Sequence, residues 1–348
     1  MAAGLPGDGS ERPADDLPAR ARGPWARYIA TVAATFSALF VGYMATIVAL
    51  DKAGLLPPPA LVNEICADEK LTWLRNNPPE APNLLIVGSS LAWRGIDSQQ
   101  FVQRVPAARP LNGGVCHAGI DQSTWVARYL IRHFPSVQSA LLVVAPQDFT
   151  SCAQKPDQLF DPGTVDAYVF DRRWLYPFYI TQFDPVSLAR NAGHIADLRA
   201  AHGEVESLIM TRFGDGPLNA PGNRGLLYGP VKRLDASCFT ALRSFALSLA
   251  EGGRHLFVTT APLHPGWRER YDPSGELHQA FVAGVRAALA EVGTTSFWDG
   301  ATVFGGEASE FTDAIHVNWP AAQRFTAELV RAFRDYRASS GARPLSQL

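Results

Sequence analysis

The chain has 348 residues, 47% apolar and 18% charged, a composition that belongs to folded rather than disordered protein. A formal net charge of −2, with no long basic run and no aromatic–basic patch, speaks against a nucleic-acid-binding surface. Four cysteines (Cys66, Cys116, Cys152 and Cys238) stand far apart without a C-x-x-C pair, which argues against a zinc or thioredoxin-type site.

Taken in chain order, residues 1–27 are rich in Pro, Gly, Asp and Arg and read as a disordered, cytoplasmic tail. Residues 28–50 (YIATVAATFSALFVGYMATIVAL) carry no charge. As a helix they measure ~34 Å, enough for a hydrocarbon core of ~30 Å. Arg20, Arg22 and Arg27 precede this stretch and Asp51 follows it. The positive-inside rule then predicts a single-pass anchor with a cytoplasmic N-terminus and a body on the periplasmic or extracytoplasmic side. A cleaved signal peptide is the competing reading, but its apolar core runs only about 7 to 15 residues and no clear A-x-A site follows. A buried core helix fits less well, because no face of the stretch is polar. Outside the cytosol the four cysteines allow one or two disulfides, whose pairing the spacing does not assign.

Residues 51–80, with Pro57, Pro58 and Pro59 in a row, read as a linker. From 81 to 340 the pattern becomes strand, loop and helix, repeated. Strands are expected at 83–88 (NLLIVG), ending near Leu111, at 140–145 (ALLVVA), at 255–260 (HLFVTT) and at 294–298 (TTSFW). Helices are expected at 97–105, 121–134, 235–251, 274–292 and 319–337, the last with Pro320 near its start. Continuous apolar strands alternating with helices predict an α/β fold: a three-layer α/β/α sandwich around a mostly parallel sheet. Residues 150–234 break the rhythm. They are aromatic, Pro-rich and Gly-rich, with one expected helix at 186–202, and read as an insertion over the sheet's carboxyl edge, where open α/β sheets bind ligands.

The candidate chemistry lies at that edge. Gly88-Ser89-Ser90 closes the first strand at a turn into a helix, where backbone N–H groups can hold an anion. Taken alone, the serines are as well explained as helix caps. Asp313-Ala314-Ile315-His316 precedes the last helix; an Asp three residues before a His can accept its Nδ1–H and leave Nε2 to take a serine proton. A parallel sheet brings both segments to one edge. After the second strand, Asn112-Gly113-Gly114 allows a backbone N–H to approach a substrate closely. After the third, Ala145-Pro146-Gln147-Asp148 offers the Gln147 amide to a developing oxyanion. Arg94 is a candidate for binding an anionic sugar or pairing with a carboxylate. His264, after the fourth strand, is a candidate substrate contact rather than a base. His117, His194 and His255 have no carboxylate or cysteine at metal-ligand spacing, so no metal and no cofactor is expected.

Together these four segments resemble the SGNH/GDSL hydrolase family, from about residue 83 to 335 and outside the insertion. Gly88-Ser89-Ser90 aligns with the G-D-S block, so Ser90 falls on the nucleophile and Ser89 replaces the usual Asp. Gly114 falls on the second-block glycine. Ala145-Pro146-Gln147-Asp148 stands at G-x-N-D with Ala for Gly and Gln for Asn. Asp313 and His316 match D-x-x-H in full. The resemblance implies a flavodoxin-like sheet, a Ser90–His316–Asp313 triad, an oxyanion hole from Ser90, Gly114 and Gln147, and an acyl-enzyme released to water or another hydroxyl. The anchored arrangement also resembles SGNH-like proteins that O-acetylate exopolysaccharides, such as alginate acetylation factors, or D-alanylate teichoic acid. That implies a polysaccharide acceptor and a multi-pass membrane acyltransferase as partner.

Two other readings stay open. An α/β-hydrolase lipase has a comparable nucleophile turn, but it needs several strands before its serine and usually separates its acid and histidine widely. A non-catalytic assembly or polysaccharide-binding factor is the alternative of a different class; retention of Ser90, Asp313 and His316 together speaks against it.

Overall fold

The computed structural model describes residues 24–155, 157–200, 207–219, 225–226 and 228–339. The expected tail at 1–23, parts of the insertion and residue 340 lie outside them. The chain divides into two units, Met1–Ala53 and Gly54–Leu348.

In the first unit, α1 spans Pro24–Lys52, four residues earlier than the expected span begins. Proline is well suited to a first helical turn, where its missing N–H has no intrahelical partner. With mean hydropathy 1.9 over its most apolar stretch, α1 is long and apolar enough to cross a membrane, a property that a signal sequence shares.

The second unit is α/β. Its elements run α2 (Ile65–Asn76), β1 (Leu84–Gly88), α3 (Ser90–Gly95), α4 (Ser98–Arg104), β2 (Pro110–Asn112), α5 (Ile120–His133) and β3 (Ser139–Val144). The insertion carries α6 (Pro162–Val165), α7 (Phe178–Thr181), α8 (Pro185–Ala192) and α9 (Ile195–Ala200). Then follow α10 (Ala236–Glu251), β4 (His255–Thr260), α11 (Pro265–Tyr271), α12 (Glu276–Leu289), β5 (Thr295–Trp298), α13 (Gly300–Phe304) and α14 (Trp319–Ser339).

All five strands are parallel, in the order β2-β1-β3-β4-β5. Side chains alternate across a strand. Leu85, Val87, Leu142 and Val258 therefore join one apolar cluster with α5, α10 and α12. Leu84, Ile86, Leu141, Val143 and Phe257 join another with α3, α4 and α14. Both faces are apolar, which is why β1 and β3 read as uninterrupted hydrophobic runs. The chain crosses from one side of β1 to the other between β2 and β3. This reversal of direction opens a crevice at the carboxyl ends of β1 and β3.

Three expectations need correction. The segment read as a linker contains α2, capped by Glu64 and buried at Cys66, Ala67, Leu71 and Leu74. Its apolar stripe is hard to see in sequence because Asp68, Glu69 and Lys70 are buried as well. The helix expected at 186–202 is two helices, α8 and α9, parted at Gly193 and His194, and glycine is a poor helix former. The short helices α11 and α13 were not expected, since each is under two turns and too short to show a period.

Two disulfides join these elements. Cys66–Cys116 ties α2 to the loop after β2, and Cys152–Cys238 ties the start of the insertion to α10. The insertion also covers the β2 edge: Asn112 N–H donates to Phe213 O at 2.8 Å, supplying the partner that an edge strand lacks.

Candidate active site

β1 ends in a turn that only glycine fits. Gly88 has φ +145°, and a Cβ there would meet Val143 O at 2.5 Å. The chain then enters α3 with Ser89 as N-cap and Ser90 as its first residue, so Ser90 stands at the carboxyl end of β1, partly exposed. Strand register sets Gly88 beside Val143, which brings Ser90 next to the start of the loop that carries Gln147.

The Asp313–His316 turn is fixed by its own side chain. One carboxylate oxygen of Asp313 accepts the N–H groups of Ile315 and His316, each at 2.9 Å. Thr312 closes the turn through its N–H to His316 O at 2.8 Å. From the neighbouring loop, His264 N–H donates to Ala314 O at 3.0 Å, tying the turn to the end of β4.

These segments meet. His316 Nδ1–H donates to the second Asp313 oxygen at 2.8 Å, and Ser90 Oγ donates to His316 Nε2 at 2.8 Å. Asp313 and His316 are buried, at 2% and 4% exposure, so solvent screens neither contact. Burial works against ionising Asp313, but the His316 hydrogen bond and charge and the two N–H groups outweigh it. The carboxyl is held below its ordinary value. A lasting negative charge on Asp313 fixes the imidazole tautomer that leaves Nε2 open to the serine proton. The Tyr228 ring stands edge-on to His316 at 5.9 Å between centroids.

The other expected residues are placed differently from one another. Gln147 lies in a short 3-10 turn, Pro146–Phe149, at the end of β3. Both polar atoms of its amide are buried without a hydrogen-bond partner, a costly state unless a ligand completes it. Gly114 packs against α3, where a Cβ would meet Trp93 N at 2.7 Å. Its N–H already donates to Asn112 Oδ1 at 3.0 Å. Asn112 is held in turn by Asp215 and by Ala92 O, both 2.9 Å from its Nδ2. Arg94 is no surface residue: at 3% exposure it stacks on Trp93 and donates to Ser207 O at 2.8 Å. Burial pulls its pKa down to about 9, against the attraction of Asp313 and Tyr228. His264 accepts Gly266 N–H on Nδ1 at 3.0 Å, which puts its proton on Nε2. Burial lowers its pKa, opposed by Asp313 and Glu269.

Sequence reasoning passed over several neighbours. Asp148 accepts Ala145 N–H at 2.9 Å and the Ser89 hydroxyl, while burial pushes its pKa up to about 7. The insertion's Asp215 is fully buried and accepts from Ser98, Asn112 and Thr211; burial raises its pKa and lowers that of the nearby Lys70. Asp148 follows directly on a candidate residue and was within reach of sequence reasoning. Tyr228 and Asp215 carry no local signal, because the fold alone returns the insertion to the sheet edge. His117 needs a correction as well. Its Nδ1 lies 3.7 Å from Glu64 Oε1, beside Cys66. The Cys66–Cys116 bond brings α2 to this loop, and it also occupies the sulfur that would have served as a thiolate ligand.

The arrangement can move a proton from a hydroxyl to an imidazole while a buried carboxylate stabilises the resulting cation. No protein-family model matches the chain, and no curated protein matches it.

Proposed function

We propose that this chain is a membrane-anchored serine esterase or O-acyltransferase of SGNH type, a three-layer α/β/α sandwich with a flavodoxin-like strand order. One observation carries the reading: the unbroken relay from Ser90 Oγ to His316 Nε2 and from His316 Nδ1 to Asp313, both links 2.8 Å.

In this mechanism Ser90 Oγ attacks an acyl carbonyl carbon as His316 Nε2 takes its proton. The electron pair displaced onto the carbonyl oxygen is stabilised by the Ser90 N–H and the Gln147 amide. Collapse of this intermediate expels the alcohol, which leaves with the proton from His316, and the acyl group stays on Ser90. Water or an acceptor hydroxyl then gives its proton to His316 and attacks the acyl carbon; the bond from that carbon to Ser90 Oγ breaks, Oγ takes the proton back from His316, and the free acid or the acylated acceptor leaves. The unpartnered amide of Gln147 supports its part in this scheme. Gly114 joins the hole only if its N–H leaves Asn112. That bond is also the observation that favours the second reading, a non-catalytic polysaccharide-binding or assembly factor.

The apolar α1 and the two disulfides support an anchor in the membrane and a body in an oxidising, extracytoplasmic compartment. Acyl esters of envelope or extracellular polysaccharide, acetyl esters above all, would be the substrates, with a multi-pass membrane acyltransferase as donor partner. Incubation with a fluorophosphonate and with an activated acetyl ester, read by mass spectrometry, tests this. An adduct on Ser90 and acetyl passed to oligosaccharide are expected. A folded protein that takes neither label at Ser90 would sink the proposal and favour the assembly factor.

A further inference from the structure

Outside α1, the described residues hold seven large apolar side chains with high exposure, and four of them fall between residues 174 and 186. These are Trp174 at 70%, Ile180 at 43%, Phe183 at 61% and Val186 at 67%. Tyr176 packs edge-on against Trp174, with ring centroids 5.3 Å apart. The segment lies in the insertion, over α7 and the start of α8, and Arg172, Arg173 and Arg190 flank it exposed to solvent. An exposed apolar cluster of this kind marks a surface that meets something other than water.

The inner side of the same segment shows where it is tied. Tyr179 is buried, and its hydroxyl donates to Pro57 O at 2.5 Å. Arg199 donates to Leu56 O at 3.1 Å and to both carboxylate oxygens of Glu69 at 2.7 and 2.9 Å. Arg75 fastens the preceding turn through Tyr168 O and Arg173 O. Pro57 stands five residues after Lys52, the last residue of α1. Five residues of extended chain reach at most ~18 Å. With α1 in a bilayer, the anchor point of α7 is therefore within that distance of where the chain leaves the membrane.

We propose that residues 174–186 dock on the lipid bilayer, as an interfacial foot beside the transmembrane anchor. The proposal rests on the reading of α1 as a membrane span. Trp and Tyr with flanking Arg are the composition of the membrane–water interface, where aromatic rings sit at headgroup level and guanidinium groups meet phosphates. The charges that flank the apolar side chains (Asp171 and the three arginines), with Asp184 among them, suit headgroups better than the dry centre of a protein interface.

The test uses the full chain in phosphatidylethanolamine–phosphatidylglycerol vesicles that contain a diazirine-bearing phospholipid. After photolysis, lipid adducts are mapped by peptide mass spectrometry. The expected result is adducts on α1 and on 174–186, the latter about tenfold above those at Leu247 and Val303, exposed apolar residues elsewhere on the body. The combined variant Trp174→Ser, Phe183→Ser and Val186→Ser should lose the second set and keep the first, with fluorophosphonate labelling unchanged. Adducts on α1 with 174–186 no richer than Leu247 overturn the foot and leave the span intact. Adducts on neither segment overturn both. Deuterium-exchange protection of 174–186 that follows protein concentration rather than lipid assigns the patch to a second copy and also overturns the proposal.

Discussion

Two of the histidine–aspartate pairs among the described residues of the second unit, His316–Asp313 and His278–Asp299, differ in where the hydroxyls go. In the first, His316 gives Nδ1–H to Asp313 and receives the Ser90 proton on Nε2, so the ring has one partner on each nitrogen. In the second, His278 of α12 meets Asp299, just after β5, through Nε2 at 2.9 Å. There Thr260 and Thr302 both donate to Asp299, each at 2.7 Å. Thr302 also lies 3.2 Å from the nitrogen that His278 already uses for the carboxylate. No hydroxyl proton in the second pair can pass to the imidazole. A carboxylate, an imidazole and a hydroxyl in contact are not enough; the hydroxyl has to lie on the ring nitrogen that the carboxylate leaves open.

The contrast can be broken most sharply at the serine. Ser90→Ala should remove the fluorophosphonate adduct and lower acetyl-ester turnover by about 10⁴-fold or more, whereas Thr302→Ala should leave both within about threefold. Turnover surviving Ser90→Ala would mean that the relay is not the working site. Next in size is Asp313→Asn, expected to cost about 10³- to 10⁴-fold in kcat because an amide presents the wrong tautomer partner to Nδ1. Asp299→Asn, the matching change in the other pair, should leave kcat nearly untouched, and steady-state kinetics of the two variants side by side checks the difference.

Gln147→Ala sharpens the comparison by asking what the first pair has beyond its hydroxyl. Loss of one oxyanion donor should lower kcat about 10²-fold with little change in KM. A loss confined to KM would make Gln147 a binding residue only. The smallest effect is on stability. Burial opposes ionisation of Asp299, but hydrogen bonds from His278, Thr260 and Thr302 outweigh it and hold its carboxyl below the ordinary value. Because the folded pKa is depressed, this contribution is present above the usual carboxylate range and is lost as pH falls through the folded pKa. Asp299→Asn should therefore lower the melting temperature at pH 7, and the gap from the parent should narrow at pH below about 4. A gap that does not change with pH would mean that the carboxylate charge is not what stabilises this corner.

Much of the framework was legible before the fold. Buried parallel strands are continuous apolar runs, so β1, β3 and β4 declare themselves at 83–88, 140–145 and 255–260, within a residue of their observed bounds. The Asp313–His316 spacing is a local matter as well, since one carboxylate closes its own turn. The second pair was not legible: His278 and Asp299 share no turn and meet only because α12 and β5 pack together. Nor was α2, whose buried Asp68, Glu69 and Lys70 hide its inward face. The insertion hid Asp215 and Tyr228 for the same reason, as long-range contacts leave no period in the chain.

The amino-acid sequence by itself determined the buried strands, most of the longer helices, the parallel class of the sheet and the three side chains worth joining, because periodicity, glycine turns and an Asp three residues before a His act over a few residues. Only the tertiary structure decided that Ser90 reaches Nε2 rather than a carboxylate, that Asn112 already holds the Gly114 N–H, and that Arg94 is buried. Those outcomes turn on distances of a few tenths of an ångström between segments far apart in the chain, and such distances are set by packing against the sheet rather than by neighbours in sequence.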